Sequence, residues 1–217
     1  MQHGSTTPGL AGSELTLLLA RLAEAPSAST RPAFAERLGH WLSWTGAISL
    51  SAALNAAPSA AAAQPVLGGE EAHFRRVCTA LEAGIAGGHD EPGSGPTDFG
   101  PHRQHCIARQ QAMQEAVAAL RQRLRDALAR CTPAAARLAA IDAVMDRTLA
   151  PHERSLLGLV PLRLQAHFER LQRSAGGDAH WHQAFRADMA HVLRAELAHR
   201  LLPARGLLDA LRSHTPT

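Results

Sequence analysis

The chain has 217 residues, of which 46% are hydrophobic and only 4% aromatic. Alanine and leucine supply most of the apolar residues, which favours helices because strands prefer β-branched and aromatic residues. The formal net charge is only +3, and all 22 basic residues are arginine, so the lysine-dependent P-loop and protein-kinase chemistries are excluded. We expect an all-α protein.

The three cysteines, Cys78, Cys106 and Cys131, are widely spaced and form no CxxC pair. Their odd number argues against a disulfide framework and favours a reducing compartment. No basic region precedes the N-terminal apolar run LTLLLARLA, and no apolar stretch reaches the roughly 20 residues that a membrane span needs. These features predict a cytoplasmic protein without membrane insertion.

An N-terminal helical pair is predicted over residues 13–55. Its first helix begins near Ser13, a good N-cap residue, and ends near Glu24; its second helix covers residues 30–55. Alanines, two prolines and a Gly-Gly pair make residues 56–69 a linker.

The middle of the chain alternates between helices and a loop. A helix is predicted over residues 70–86, followed by the Gly/Pro-rich segment 87–101, which we expect to be an exposed, flexible loop. Residues 102–131 contain no glycine or proline and carry apolar residues at steps of three and four, so they predict one long helix.

Residues 102–212 predict an antiparallel helical bundle. Within it, Thr132 and Pro133 mark the start of a helix that Pro151 ends. Pro161 is expected to kink the next helix, and Pro203 to close the last long one before a short amphipathic tail.

Two Glu-x-x-His pairs suggest a metal site: Glu70 with His73, and Glu196 with His199. Di-iron carboxylate bundles use two such pairs on different helices. Chance is the stronger interpretation, since the chain has 13 histidines and 19 acids, and an acid such as Glu70 in a first turn already favours the helix dipole. Residues 178–200 carry four histidines, but no two lie three or four positions apart.

A second candidate metal site begins the long helix. His102 and Cys106 lie one turn apart with His105 between them, and all three are zinc-ligand types. A fourth ligand is missing from the motif, so we expect Cys106 to pack inward and no cofactor to be bound. No complete nucleophile motif is present, and we expect no enzymatic activity.

The arginines of the long helix are a candidate polyanion site. Arg121, Arg123, Arg125 and Arg130 lie close together in sequence, but no aromatic residue interleaves with them. A solvated helix face is the favoured interpretation, and a weak nucleic-acid binder is kept as an alternative.

An aromatic face on the second predicted helix suggests a protein contact. Phe34, Trp41 and Trp44 lie on it, and a helical pair of this size cannot bury both tryptophans alone. Docking on the bundle would cover them, but tryptophan is also a typical interface anchor. We expect the part around Trp44 to contact a protein partner or a second copy.

Several blocks resemble a proteobacterial family of helical domains of unknown function. They are LLLARLAEA, FAERLGHWLSWTGAISLSAALN, HCIARQQAMQ and RLAAIDAVMDRTLAPHERSLLGLVPLRLQAHFERLQ. The resemblance implies no activity. It implies a gene neighbourhood of stator-like proton-channel and outer-membrane peptidoglycan-binding proteins, and hence a role beside an envelope-associated, proton-driven assembly. The sequence thus predicts a non-enzymatic interaction or scaffold protein, with a metal-binding bundle as an alternative.

Overall fold

The structure, a computed structural model, describes residues 14–22, 44–55, 67–87, 98–176 and 180–214. These residues form helices and no strand, which confirms the all-α prediction. The helices are α1 (Glu14–Leu22), α2 (Trp44–Asn55), α3 (Leu67–Ala86), α4 (Gly100–Ala129), α5 (Pro133–Leu157), α6 (Val160–Ser174) and α7 (His180–His214).

The core lies around α7, which contacts α1, α3, α4, α5 and α6. On α4 the side chains of Leu120, Leu124 and Leu128 are fully buried, and on α7 those of Phe185 and Leu193. Their spacing of four or eight residues places them on one face of each helix, as the sequence pattern predicts. Each such side chain contributes about 1.5–3 kcal/mol on burial.

Two prolines that were expected to end helices lie inside them instead, so those predictions were wrong. The helix α5 runs through Pro151 to Leu157, and α7 runs through Pro203 to residue 214. A proline inside a helix costs about 3 kcal/mol through its missing N–H and its ring. In α7 this cost is offset because the buried stripe continues across Pro203, from Leu201 to Leu211.

The sequence predicted one long helix, and the described residues contain two. The predicted one is α4, with 30 residues, and the longer is α7, with 35. The expected kink at Pro161 is also wrong, because Pro161 lies in the first turn of α6, where its missing N–H needs no partner. Thr132 caps α5 as predicted, its hydroxyl accepting a hydrogen bond from the N–H of Ala135 at 3.2 Å.

Other boundaries shift by a few residues. The helix α3 begins at Leu67, inside the segment predicted as a linker, and α4 begins at Gly100, inside the segment predicted as a loop. Residues 88–97 of that loop lie outside the described residues. The helix α1 packs against α6 and α7, whereas α2 packs against α5.

Candidate functional site

The most enclosed polar group of the described chain is the carboxylate of Glu196 on α7, which is 0% exposed. Its Oε1 accepts hydrogen bonds from Nε and Nη2 of Arg200, at 2.9 and 2.8 Å. Its Oε2 accepts one from Nε2 of Gln110 on α4, at 2.8 Å. We call Glu196, Arg200 and Gln110 the Glu196 network.

Gln110 also joins this network to the turn between α5 and α6. Its Nε2 donates a second hydrogen bond to the carbonyl of Leu157, at 3.0 Å. In a continuous helix that carbonyl would accept from the residue four positions later, but this residue is Pro161, which has no N–H. The Gln110 side chain therefore satisfies the carbonyl that the proline leaves without a backbone donor.

Burial is the largest influence on the pKa values of Glu196 and of the nearby Cys106. It raises the pKa of the Glu196 carboxyl, while the Arg200 charge and the hydrogen bonds from Gln110 and Arg200 lower it. Burial, together with the nearby Glu196 carboxylate, raises the pKa of the Cys106 thiol to about 12. Cys106 is 0% exposed, as expected from the sequence, so it lies in the core as a neutral, unreactive thiol.

The candidate di-iron ligands are not brought together. On α3, Glu70 accepts two hydrogen bonds from Arg123, at 2.6 and 3.0 Å, whereas Glu196 lies in its own network between α4 and α7. His73 lies near Arg76, with Nδ1 3.5 Å from its Nη2. The Nδ1 of His199 is buried without a hydrogen-bond partner in the structure.

The candidate zinc ligands also diverge. Cys106 points into the core beside Glu196, whereas His102 points toward α7, where its Nε2 lies 2.8 Å from Nε2 of His182. Within the described ranges no group of three or more His, Cys, Asp or Glu side chains is placed to hold a metal ion. The metal-binding interpretation therefore finds no ligand set there.

The arginines proposed as a polyanion site are mostly engaged by carboxylates. Arg121 and Arg125 on α4 each bind both Asp142 and Asp146 on α5, at 2.5–2.7 Å. Arg123 binds Glu70 on α3, as described above. Of the four candidates, Arg130 remains as an exposed cation. These contacts join α4 to α5 and α3 and cancel most of the local charge excess, which corrects the solvated-face interpretation for Arg121.

A cluster of histidines and aromatic rings joins the start of α4 to α6 and α7. The rings of Phe168 and Phe185 meet edge to face with centroids 5.0 Å apart, and His102 lies 5.1 Å from Phe185. Trp181 packs on Phe168 at 5.0 Å. This histidine–aromatic cluster consists of Phe99, His102, Phe168, Trp181, His182 and Phe185.

Sequence reasoning missed the pairing of His102 with His182, because the two residues are 80 positions apart and on different helices. A bond between two Nε2 atoms requires one ring to donate and the other to accept. Burial and the charge of Arg186 lower the pKa of His182, which favours the neutral form of the ring that can accept such a bond.

A third histidine lies at the other edge of the cluster, beside Phe185. Nε2 of His167 is 2.7 Å from Oδ2 of Asp188, and its Nδ1 is 2.8 Å from Nη2 of Arg170. Arg170 also donates to the carbonyl of Leu22 at the end of α1, at 3.1 Å. The contacts of His167 and Arg170 thus attach α6 to α7 and α1 to α6.

The candidate contact residues at the N-terminus are only partly described. Phe34 and Trp41 lie outside the described residues, and Trp44 is described only as the first residue of α2. On α2, Ile48 and Leu54 are 53% and 49% exposed. The prediction of a contact around Trp44 therefore stays a prediction.

The comparison with protein families gives a match across almost the whole chain. The model named "Protein of unknown function (DUF3348)" matches residues 1–213. The chain belongs to this family. No curated protein and no solved structure matches the chain.

The DUF3348 match contains every side chain of the Glu196 network and of the histidine–aromatic cluster. It agrees with the resemblance stated from the sequence, which was to a family of unknown function. Among the described residues, no helix is both long and apolar enough to cross a membrane.

Proposed function

We propose that this DUF3348 protein is a non-enzymatic helical interaction protein, a cytoplasmic scaffold subunit of a larger assembly. Its contact surface is the leucine corner, formed by Leu156, Leu159 and Leu162. These side chains are 60%, 46% and 62% exposed. This exposed apolar corner is the observation that carries the proposal.

The backbone geometry of the corner places its three leucine side chains on the same side of the chain. They follow at steps of three through the turn between α5 and α6, and Gly158 and Leu159 keep near-helical dihedral angles there (φ −61°, ψ −17° and φ −80°, ψ −15°). Residues three apart on such a backbone lie on the same side. Leu157 and Val160, between them, are 5% and 0% exposed and point into the core.

A grouped apolar surface carries more meaning than single exposed leucines, which are common on soluble proteins. Contiguous apolar patches tend to mark contacts with other proteins. Gln110 and Pro161 hold the corner in place, since the Gln110 side chain binds the Leu157 carbonyl that Pro161 cannot. The corner is therefore a rigid surface, which keeps the entropic cost of binding low.

The buried polar groups support a structural role in preference to catalysis. Glu196 is held by Arg200 and Gln110, and Asp142 by Arg121 and Arg125. The pKa of Cys106, about 12, makes its thiol a poor nucleophile at neutral pH. Catalytic groups need accessible lone pairs, and both oxygens of Glu196 and of Asp142 already accept hydrogen bonds from these neighbours.

One observation and one implication of the resemblance concern the setting. Cys78, Cys106 and Cys131 are all free thiols, which favours a reducing compartment. The gene neighbourhood implied by the sequence resemblance favours a partner from an envelope-associated, proton-driven assembly.

Sedimentation velocity tests self-association through the corner. We compare the wild type with the double variant Leu159→Glu/Leu162→Glu over a concentration series of the full chain. Burying two leucines contributes several kcal/mol, so the double variant should associate at least about 100-fold more weakly. Arg147→Glu, at an exposed position of α5, is the control for added negative charge.

Affinity capture from the source cells tests a different protein as partner. The wild type and Arg147→Glu should retain the same partner, and Leu159→Glu/Leu162→Glu should lose it while keeping the wild-type circular dichroism. Identical sedimentation and identical capture for all three proteins would contradict the proposed function.

A further inference from the structure

Two exposed arginines border the leucine corner. Arg154 precedes Leu162 by eight positions and Arg163 follows Leu159 by four, so on the near-helical backbone both arginines lie beside the leucines. Neither arginine side chain has an ion-pair or hydrogen-bond partner among the residues that the structure describes. Both guanidinium groups are therefore available to a partner that covers the corner.

Acids are scarce around the corner, and the nearest one in sequence is paired. Glu153 is the only acid in residues 147–168, and it lies 3.6 Å from Nη1 of Arg200. The segment of α4 that packs against this turn, residues 100–114, contains no acid. The next acid along α6 is Glu169, roughly 10 Å beyond the last leucine of the corner. The corner is thus an apolar surface with positive charge at its border.

A second copy of the chain fits this surface poorly. A two-fold symmetric contact places the same patch of both copies face to face. Arg154 and Arg163 of one copy would then approach those of the other, and like charges brought together across an interface disfavour binding. The charge of the border therefore favours a different protein that carries acids.

We infer that the leucine corner binds an acidic amphipathic helix of another protein. The apolar face of that helix covers the three leucines, and acids on either side of the face pair with Arg154 and Arg163. These arginines are nine positions apart, roughly 13 Å along a helix, so each pairs with a separate carboxylate. A helix suits the surface because its side-chain ridges pack into the grooves of another helix. The inference rests on the proposed function, since it names the partner class of the same surface.

Fluorescence anisotropy with designed helical peptides and the full chain tests the inference. The first peptide carries a leucine face flanked by glutamates. The second has lysines in place of the glutamates, and the third has alanines in place of the leucines. We expect saturable binding of the leucine–glutamate peptide and binding at least about tenfold weaker for the other two. Added salt should weaken the binding of the first peptide, because it screens exposed charges.

A charge reversal is the sharpest variant. Arg154→Glu/Arg163→Glu should bind the leucine–glutamate peptide about tenfold more weakly than the wild type and should prefer the leucine–lysine peptide instead. Arg137→Glu/Arg147→Glu makes the same change of net charge at exposed positions of α5 and should bind as the wild type. Circular dichroism checks that both variants are folded.

Three results would overturn the inference and leave the proposed function standing. They are an unchanged peptide preference in folded Arg154→Glu/Arg163→Glu, no saturable binding of the leucine–glutamate peptide, and self-association that Leu159→Glu/Leu162→Glu abolishes. Binding to phosphatidylglycerol vesicles without binding of the leucine–glutamate peptide would also overturn it, since a lipid surface would then be the partner. The proposed function fails on a different result, unchanged sedimentation and capture in the leucine variant.

Discussion

At the scale of single residues, the buried ionisable groups act as structural connectors. Glu196 joins α7 to α4 through Gln110, and its charge is balanced by Arg200. The Glu-x-x-His pattern singled out Glu196 as a candidate metal ligand together with His199. In the structure its partners are Arg200 and Gln110 instead. No sequence rule links position 196 with position 110, because they meet only once the helices have packed.

Replacing Glu196 tests this role. Glu196→Ala leaves the charge of Arg200, whose side chain is 9% exposed, without its closest partner, and removes one of the two acceptors of Gln110. Removing one member of a buried ion pair costs about 3–5 kcal/mol of unfolding free energy. Glu196→Gln keeps an acceptor for Gln110 and should lose less.

Urea unfolding monitored by circular dichroism measures these losses. The double variant Glu196→Met/Arg200→Met removes both charges together, so it should lose less stability than the sum of the two single replacements. A loss below about 1 kcal/mol for Glu196→Ala would show that the network does not stabilise the fold.

The titration of His182 makes stability depend on pH. The pKa of His182 is lowered in the folded protein, by burial and by Arg186, so the unfolded chain takes up this proton first as the pH falls. The stabilisation is therefore complete above the unfolded pKa of about 6.5 and is lost as the pH falls below it.

Unfolding by urea at several pH values between about 5 and 8 checks this dependence, since that range brackets the ordinary histidine pKa. His182→Gln cannot take up the proton and should show a weaker loss of stability at acid pH than the wild type. An unchanged pH dependence in His182→Gln would contradict the assignment to this ring.

At the scale of elements, proline was the main source of error. Pro151, Pro161 and Pro203 were all interpreted as breaks or kinks, yet only Pro161 lies at a helix end, in the first turn of α6. The signal that could have corrected α7 is its apolar stripe, which keeps helical spacing from Leu197 through Leu201 to Leu208. Continuous burial on both sides outweighs the local cost of one proline.

Replacing Pro203 tests that balance. Pro203→Ala restores a backbone N–H that can bind the carbonyl of His199 and removes the ring clash. Because the helix already contains the proline, we expect a gain of about 1 kcal/mol and a rise of a few degrees in Tm, measured by calorimetry. Pro203→Gly removes the ring without adding helix propensity and should gain less. A lower Tm for Pro203→Ala would mean that α7 requires the proline geometry.

At the scale of the whole molecule, the fold class followed from composition and periodicity, because alanine- and leucine-rich segments with helical spacing have few other ways to bury their apolar faces. Neither the leucine corner nor the histidine–aromatic cluster was predicted. Both depend on how helices distant in sequence meet or on which side of a turn faces the core.

The difference between hydrophobicity in the sequence and burial in the structure is clearest at residues 156–162, LLGLVPL. Five of these seven residues are Leu or Val, so hydrophobicity alone would bury them all. The structure buries Leu157 and Val160 and exposes Leu156, Leu159 and Leu162. Only the positions of α5 and α6 against the core decide which leucines remain available to another protein.

The central claim, that the protein acts through a protein contact at the leucine corner, is tested most directly by site-specific photocrosslinking in the source cells. A photoreactive phenylalanine analogue is placed at Leu162, with Arg147 and Arg137, both exposed on α5, as control positions. We predict one discrete crosslinked species from position 162, either a dimer or a conjugate with another protein, and none from the controls. Equal crosslinking at all three positions, or none at position 162, would contradict the claim.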